Sequence, residues 1–465
     1  MNMINVRRLT VMTFLGAGML SGISAQVSPL QVDTLKETKI PDQWDLQSCI
    51  DYAKEQNITI RKNRITAVST QIDVKTAKAA LFPSLSFSTG HQVVNRPYQE
   101  TSSRVSGSEI ISSNSKTSYN GNYGLNASWT LYNGNKRLKT IQQEKLNNQM
   151  AELDVATSEN NIQESIAQVY IQILYAAESV KVNENTLQVS IAQRDRGQEL
   201  LNAGSIAKSD LAQLEAQVST DRYQLVTAQA TLEDYKLQLK QLLELDGENE
   251  MNIYLPALSD ENVLAPLPTK RDVYISALSL RPEIEASKLN VEASELGINI
   301  AKSSYFPTIS LSAGIGTNHT SGSDFTFGEQ VKNGWNNSIG LSVSVPIFNN
   351  RQTKSAVQNA KLQYETSMLS LLDEQKALYK TIESLWLDAN SAQQRYAAAN
   401  EKLKSTQISY ELISEQFNLG MKNTVELLTE KNNLLQAQQE QLQAKYMAIL
   451  NTQLLKFYQG DQLAI

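Results

Sequence analysis

Catalysis near neutral pH needs imidazoles, thiols or converging carboxylates, and this sequence holds few of the first two. There are two histidines, His91 and His319, and one cysteine, Cys49. A metal site needs three or four ligands at close spacing, and histidines this far apart in the chain do not supply them, so no metal is expected. Cys49 has no second cysteine with which to form an internal disulfide. The sequence has neither a glycine-rich phosphate loop nor a G-x-S-x-G elbow. A hydrolase would lack its nucleophile, base and oxyanion donors, and no cofactor is called for. A formal net charge of -6 offers no basic face to nucleic acid. The carboxylates worth following are Asp210 and Glu426, which stand at matching distances past Gly204 and Gly420. An acid in the first turn of a helix complements the positive end of its dipole. Placing them is therefore a question of architecture.

That architecture is written twice. Leu81-Phe82-Pro83-Ser84-Leu85-Ser86 matches Tyr305-Phe306-Pro307-Thr308-Ile309-Ser310, and Leu131-Tyr132-Asn133-Gly134-Asn135 matches Ile347-Phe348-Asn349-Asn350-Arg351. Glu199-Leu200-Leu201-Asn202-Ala203-Gly204 matches Glu415-Gln416-Phe417-Asn418-Leu419-Gly420. Asn133 and Gly204 are 71 residues apart, as are Asn349 and Gly420. Three landmarks in one order at one spacing indicate an internal two-fold repeat. Each half reads as helix, two strands, a very long helix, a tight turn and a return helix. The expected strands are 82–94 and 119–132 in the first half, 307–317 and 336–348 in the second. The turns fall near 202–206 and 418–422.

The strands alternate with period two. Tyr119, Tyr123, Leu125, Trp129 and Leu131 interleave with Asn120, Asn122, Gly124, Asn126, Ser128 and Thr130. In the second half Ile339, Leu341, Val343, Val345 and Ile347 interleave with Ser338, Gly340, Ser342, Ser344 and Pro346. Such runs fit a barrel with one face in lipid and one facing a wet lumen, although a soluble β-sandwich also alternates. Four strands cannot close a barrel, because the smallest single-chain barrels need about eight. Strands in lipid would therefore have to be pooled from several chains.

No proline interrupts residues 135–201 or 350–419, so each could run about 100 Å as one helix. The second carries a heptad seam through Leu371, Leu378, Ile382, Leu385, Ala389, Ala392, Tyr396, Ala399, Leu403, Thr406, Tyr410, Ile413 and Phe417. The first carries Val155, Ile162, Ile166, Val169, Ile173, Ala176, Val180, Asn183, Leu187, Ser190, Arg194, Gly197 and Leu201, and loosens towards its turn. The first return helix follows with Leu211, Leu214, Val218, Leu225, Ala228, Leu232, Tyr235, Leu239 and Leu242. A sustained period of 3.5 means coiled-coil packing of antiparallel neighbours. The Ala, Ser, Gln and Asn around the rest of each helix suit a tube wall better than a solid bundle.

Residues 1–25 read as a secretory signal peptide: Arg7 and Arg8, then an apolar run over 9–20, then small residues up to Ala25. The remainder divides into a first repeat over 26–247, a linker over 248–270 and a second repeat over 271–465. Residues 26–43 are expected to be extended. Segments 95–118 and 318–334 are expected to be loops between paired strands.

Taken in order, several short motifs resemble the TolC-like outer-membrane efflux protein family. They are Trp44-Asp45-Leu46-Gln47-Ser48-Cys49-Ile50, the strand starts Phe82-Pro83 and Phe306-Pro307, Leu131-Tyr132-Asn133-Gly134, Val345-Pro346-Ile347-Phe348 and the two glycine turns. The resemblance covers essentially the whole mature chain. It implies a mostly α fold with β strands, assembled as a homotrimer. Each chain would give four strands to one twelve-stranded outer-membrane β-barrel and its helices to a twelve-helix periplasmic tunnel. The partners implied are outer-membrane lipid, a periplasmic adaptor and an inner-membrane transporter; the function implied is a passive exit duct for efflux or type I secretion. By the same resemblance Glu426 and Thr429 occupy the constriction, so one acidic ring survives and a second is missing. Lys422 takes the place of a basic latch, with Ser209 and Asp210 as its expected partners. Phe417 replaces the latching tyrosine and has no hydroxyl to donate. The adaptor would grip 200–210 and 416–426, around Asn202, Gly204, Asn418 and Gly420. The competing reading is a periplasmic coiled-coil scaffold or adhesin without a pore.

Overall fold

The computed structural model describes residues 41–98, 102–106, 109–113, 116–246, 251–256, 263–323 and 325–464. The expected signal peptide, most of the extended segment after it and part of the linker lie outside the described residues. Trp44, only 1% exposed, forms a parallel bridge with Ile253. Its N–H donates to the Asn252 carbonyl and its own carbonyl accepts from Tyr254, both at 2.8 Å. Asp45 then caps α1 (Leu46–Gln56) in a reciprocal box with Ser48. Where the sequence suggested a single opening helix, Asn57 breaks it. Its side-chain oxygen accepts from Thr59 and Ile60 and starts α2 (Ile58–Ala79), while its amide nitrogen donates to the Leu242 carbonyl.

The strands β1 (Ser84–Asn95), β4 (Thr117–Asn133), β5 (Thr308–Thr320) and β6 (Asn336–Ser344) form one antiparallel sheet in the order β1-β4-β5-β6. Two segments expected to be loops hold structure. Strands β2 (Ser102–Ser106) and β3 (Glu109–Ser113) make a small hairpin between β1 and β4. A short helix, α7 (Phe327–Asn333), lies between β5 and β6, where Thr326 and Glu329 form a capping box.

The remaining helices are α3 (Lys136–Asn202), α4 (Lys208–Leu242), α5 (Lys270–Leu280), α6 (Pro282–Ser303), α8 (Gln352–Asn418) and α9 (Thr424–Gln459). Helices α3 and α8 have 67 residues each. Antiparallel hairpins form from α3 with α4 and from α8 with α9, and α9 also packs on α3. Nearer the sheet the packing order is α2-α3-α6-α8. The main core lies midway, where Ile166, Tyr170, Ile173 and Leu174 of α3 meet Cys49, Ile50, Tyr396, Ala448, Ile449 and Leu454. Tyr170 donates to the Tyr254 carbonyl at 2.6 Å. Cys49 is fully buried there, and burial pushes its thiol up to about 12, which leaves it inert.

A buried charge cluster anchors the second half. Arg281 donates through Nη2 to Glu164 Oε1 at 3.1 Å and through Nε to Glu283 Oε1 at 2.8 Å, and lies 4.2 Å above the Tyr458 ring. Burial pushes the Glu164 carboxyl above its ordinary range, against the opposing pull of Arg281. Arg281→Met should therefore cost about 3–5 kcal/mol at pH 7 by stranding Glu164. An acid whose folded pKa is raised stabilises the fold while protonated and loses that contribution as pH rises through the folded value. The deficit should thus shrink on acidification. Thermal melts of the helical signal in detergent at pH 4 and pH 7 measure it; an equal deficit at both would contradict the assignment to Glu164.

Candidate gate at the hairpin tips

Both hairpin turns are built alike. At the first, the Gly204 N–H donates to the Leu201 carbonyl at 2.9 Å and the Ser205 N–H to the Leu200 carbonyl at 2.8 Å. At the second, Gly420 donates to Phe417 at 2.9 Å and Met421 to Gln416 at 2.8 Å. These are the paired bonds that end a helix through a left-handed residue, and the two glycines have φ of 76° and 74°. An added Cβ would meet nothing within 4 Å at either position, so the backbone angle alone calls for glycine. Asn202 and Asn418, the last residues of α3 and α8, are exposed.

The return helices start differently. On α4, Asp210 reaches back to accept from the Ala207 N–H at 3.0 Å, while Ser209 is exposed. On α9, Asn423 accepts from the Glu426 N–H at 2.9 Å and Glu426 Oε2 accepts from the Asn423 N–H at 3.2 Å. Lys422 Nζ donates to Glu426 Oε1 at 2.6 Å. The Lys422 hydrogen bond, with the Asn423 N–H second, holds the Glu426 carboxyl below its ordinary range. Thr429 is exposed, and its hydroxyl donates to the Val425 carbonyl of its own helix at 2.7 Å. Phe417 is buried at 3% exposure. Leu419, Met421 and Val425, close to it in the chain, are exposed.

Within one chain, then, the structure joins Lys422 to Glu426 in a single turn and ties Asp210 to the backbone of its own turn. The described contacts of Lys422 do not reach Ser209 or Asp210. About two turns above the second tip lies a cluster that seam reading passed over. Lys431 of α9 meets Asp221 of α4 and Ser190 of α3, all buried. The signal was present: the seam of the first return helix steps seven residues from Val218 to Leu225, over Asp221.

One family model, described as outer membrane efflux protein, matches residues 49–244 and 273–460. The chain is 24% identical over 294 residues to the outer membrane efflux protein BepC of Brucella suis, covering 63% of this chain and 61% of that one. It is 24% identical over 294 residues to the outer membrane protein TolC of Escherichia coli, covering 61% and 58%. The alignments thus span about three fifths of each relative's own length. A crystal structure of CusC superposes with a TM-score of 0.75 at 19% identity, covering 90% of this chain and 92% of that one, which is a likeness of fold.

A side chain at a left-handed position costs roughly 1–2 kcal/mol, and asparagine less. Gly204→Ala and Gly420→Ala should each lower the melting midpoint and speed amide exchange at the mutated tip, with Gly420→Asn falling between. Unchanged exchange in both alanine variants would show that the turns do not rely on this backbone angle.

Proposed function

Because the chain belongs to the outer membrane efflux protein family, we propose that it is an outer-membrane exit duct, passively conducting substrates that an inner-membrane pump and a periplasmic adaptor hand to it. The observation that carries this reading is the four-stranded sheet, which has two open edges and two unlike faces. Phe87, Leu125 and Ile315 share one face with Trp129, Leu311 and Leu341, and many of these side chains are exposed. The other face pairs Ser86 with Asn126, Ser128 with Ser312, Ser310 with Ser342 and Gly314 with Ser338. An exposed apolar face of this extent fits lipid, and the hydroxyl and amide face fits a wet lumen.

Aromatic residues bracket the apolar band. Tyr119 and Tyr123 lie with His91 and His319 at one end, and Trp129, Phe82 and Phe306 at the other. From Tyr119 to Trp129 is about 33 Å of strand, which at a tilt of about 40° gives the apolar height of roughly 25 Å typical of such barrels.

The open edges argue for a ring. Hydrocarbon does not tolerate unpaired backbone, so β1 and β6 need partners. With four alternating strands per chain, β6 of one copy meets β1 of the next antiparallel. The helices offer a matching pair of edges. On α2, Ile58, Ile65, Val68 and Ile72 are exposed at heptad spacing; on α8, Leu362, Leu369, Leu372 and Tyr379 are too. The homotrimer, with twelve strands and twelve helices, is the closure that the family resemblance favours, and the two repeats would each supply one strand pair and one helical hairpin. Around its axis three copies of Glu426 would form an acidic ring at the tips, next to Lys422, Asp210, Ser209, Thr429 and Phe417.

Protein extracted in detergent from outer membranes should have the mass of three chains. Recovery as a monomer, or only in the soluble fraction, would favour the pore-free scaffold. In planar bilayers under a salt gradient, Glu426→Ala should shift the reversal potential towards weaker cation selectivity. In the native chain that selectivity should persist on acidification past the ordinary glutamate range, because Lys422 keeps the carboxyl charged. An unchanged reversal potential in the variant would remove Glu426 from the constriction.

A further inference from the structure

Three helices interrupt their apolar seams at one level above the tips. On α3 the seam passes Leu187 and then Ser190; on α4 it runs Leu211, Leu214, Val218, Asp221; on α9 it runs Leu427, Lys431, Leu434. These three polar side chains meet. The Lys431 ammonium donates to Asp221 Oδ2 and to Ser190 Oγ, and the Ser190 hydroxyl donates to the same Oδ2. Asp221 Oδ1 accepts from Gln217 Nε2 at 2.9 Å. Ser190, Asp221 and Lys431 are 2%, 1% and 3% exposed. Burial draws the ammonium below its ordinary range, and the hydrogen bond and charge of Asp221 oppose that.

Such a pair adds little net stability, because desolvating both ions offsets their attraction. Its effect is selective instead. Long seams of Leu, Ala and Val pack almost equally well after a slide of one turn or one heptad, so apolar packing alone leaves the height of one hairpin against the other poorly defined. A polar residue at a core position removes the alternatives, because every other register strands a charge. Here two hairpins and three helices are held by one set of atoms.

We propose that Ser190, Asp221 and Lys431 form a register pin that fixes the second hairpin in height and rotation against the first. Lys431 lies five residues beyond Glu426, about 7.5 Å along α9. The pin thereby positions Glu426 and Lys422 relative to Asp210 on the other tip. It is a property of one chain and holds whether or not the chain forms a pore.

The test is a distance between the tips. Cysteines introduced at Ser205 and Met421, both exposed, carry spin labels in the full-length protein in detergent, diluted with unlabelled chain so that distances arise within one copy. Cys49 is buried and its raised thiol stays unlabelled. The native chain should give one narrow distance. Ser190→Ala/Asp221→Leu/Lys431→Met should keep its helicity, yet its distance distribution should widen at least about twofold or split by roughly one helical turn of about 5 Å. The exchange Asp221→Lys/Lys431→Asp, which restores opposite charges, should narrow it again. A distribution as narrow as the native one in the apolar variant would overturn the pin, as would a broad one in the folded exchange variant. Should the triple variant not be recovered folded, Asp221→Leu/Lys431→Met reads the same way, since a lone helical serine can bond its own i−4 carbonyl.

Discussion

The backbone hydrogen bonds of four strands govern the rest of this molecule. The interior strands are paired on both sides over 120–128 of β4 and 308–316 of β5, and the outward edges of β1 and β6 are left for something else. In water such edges invite aggregation; in hydrocarbon they are not tolerated at all. A helix folded over the apolar face would cover it and still leave the outward edges of β1 and β6 unpaired. Closing the strands into a ring with further copies meets both demands at once. The position of each neighbouring helix follows: α2 leads into β1 and β6 leads into α8, so the open helical edges lie below the open strand edges.

The helices extend that logic along the long axis. Their seams are narrow, and much of the remaining surface is Gln, Asn, Ser, Thr and Ala, so no helix can bury its whole circumference. Stability is concentrated where many elements converge, in the core around Tyr170 and Tyr396 and in the Arg281 cluster. Towards the tips only two hairpins remain in contact. Buried polar geometry there does what a broad core does elsewhere, which is to choose one arrangement among several of similar packing quality.

Sequence periodicity reached the elements whose faces have unlike surroundings. Alternation located the four strands to within a few residues, because a one-residue slip would exchange Phe87 and Leu125 for Ser88 and Asn126. Proline-free heptads located α3 and α8, and the glycine turns fell where positive φ is needed. What escaped was local or cooperative. The break at Asn57 depends on one side chain bonding the next helix and a distant carbonyl. The α7 helix announced itself only by a Thr-x-x-Glu capping box inside a segment that otherwise read as loop. Asp221 fell inside a seven-residue step of its seam and Lys431 on a helix for which no seam was drawn, and the partner that justifies each buried charge lies 210 residues away. Charges that the fold brings together cannot be found by reading one helix at a time.

The two sets of charges near the tips are therefore of different kinds. Lys422 and Glu426 belong to one helical turn, and each side chain is a third or more exposed, so water can replace either partner at little cost. Lys431 and Asp221 belong to different hairpins and are closed off from water, so separating them leaves a charge with no solvent to receive it. A rearrangement confined to the turns can proceed by exchanging the first kind and leaving the second intact. A displacement of one whole hairpin against the other must break the second kind, and the penalty falls on the first step of that motion. The acidic ring we propose at Glu426 would thus sit on a rigidly referenced helix while its own counter-charge stays free to move. Field and position at the tips are set by separate interactions, so the Lys422–Glu426 pair can rearrange without loss of helix register.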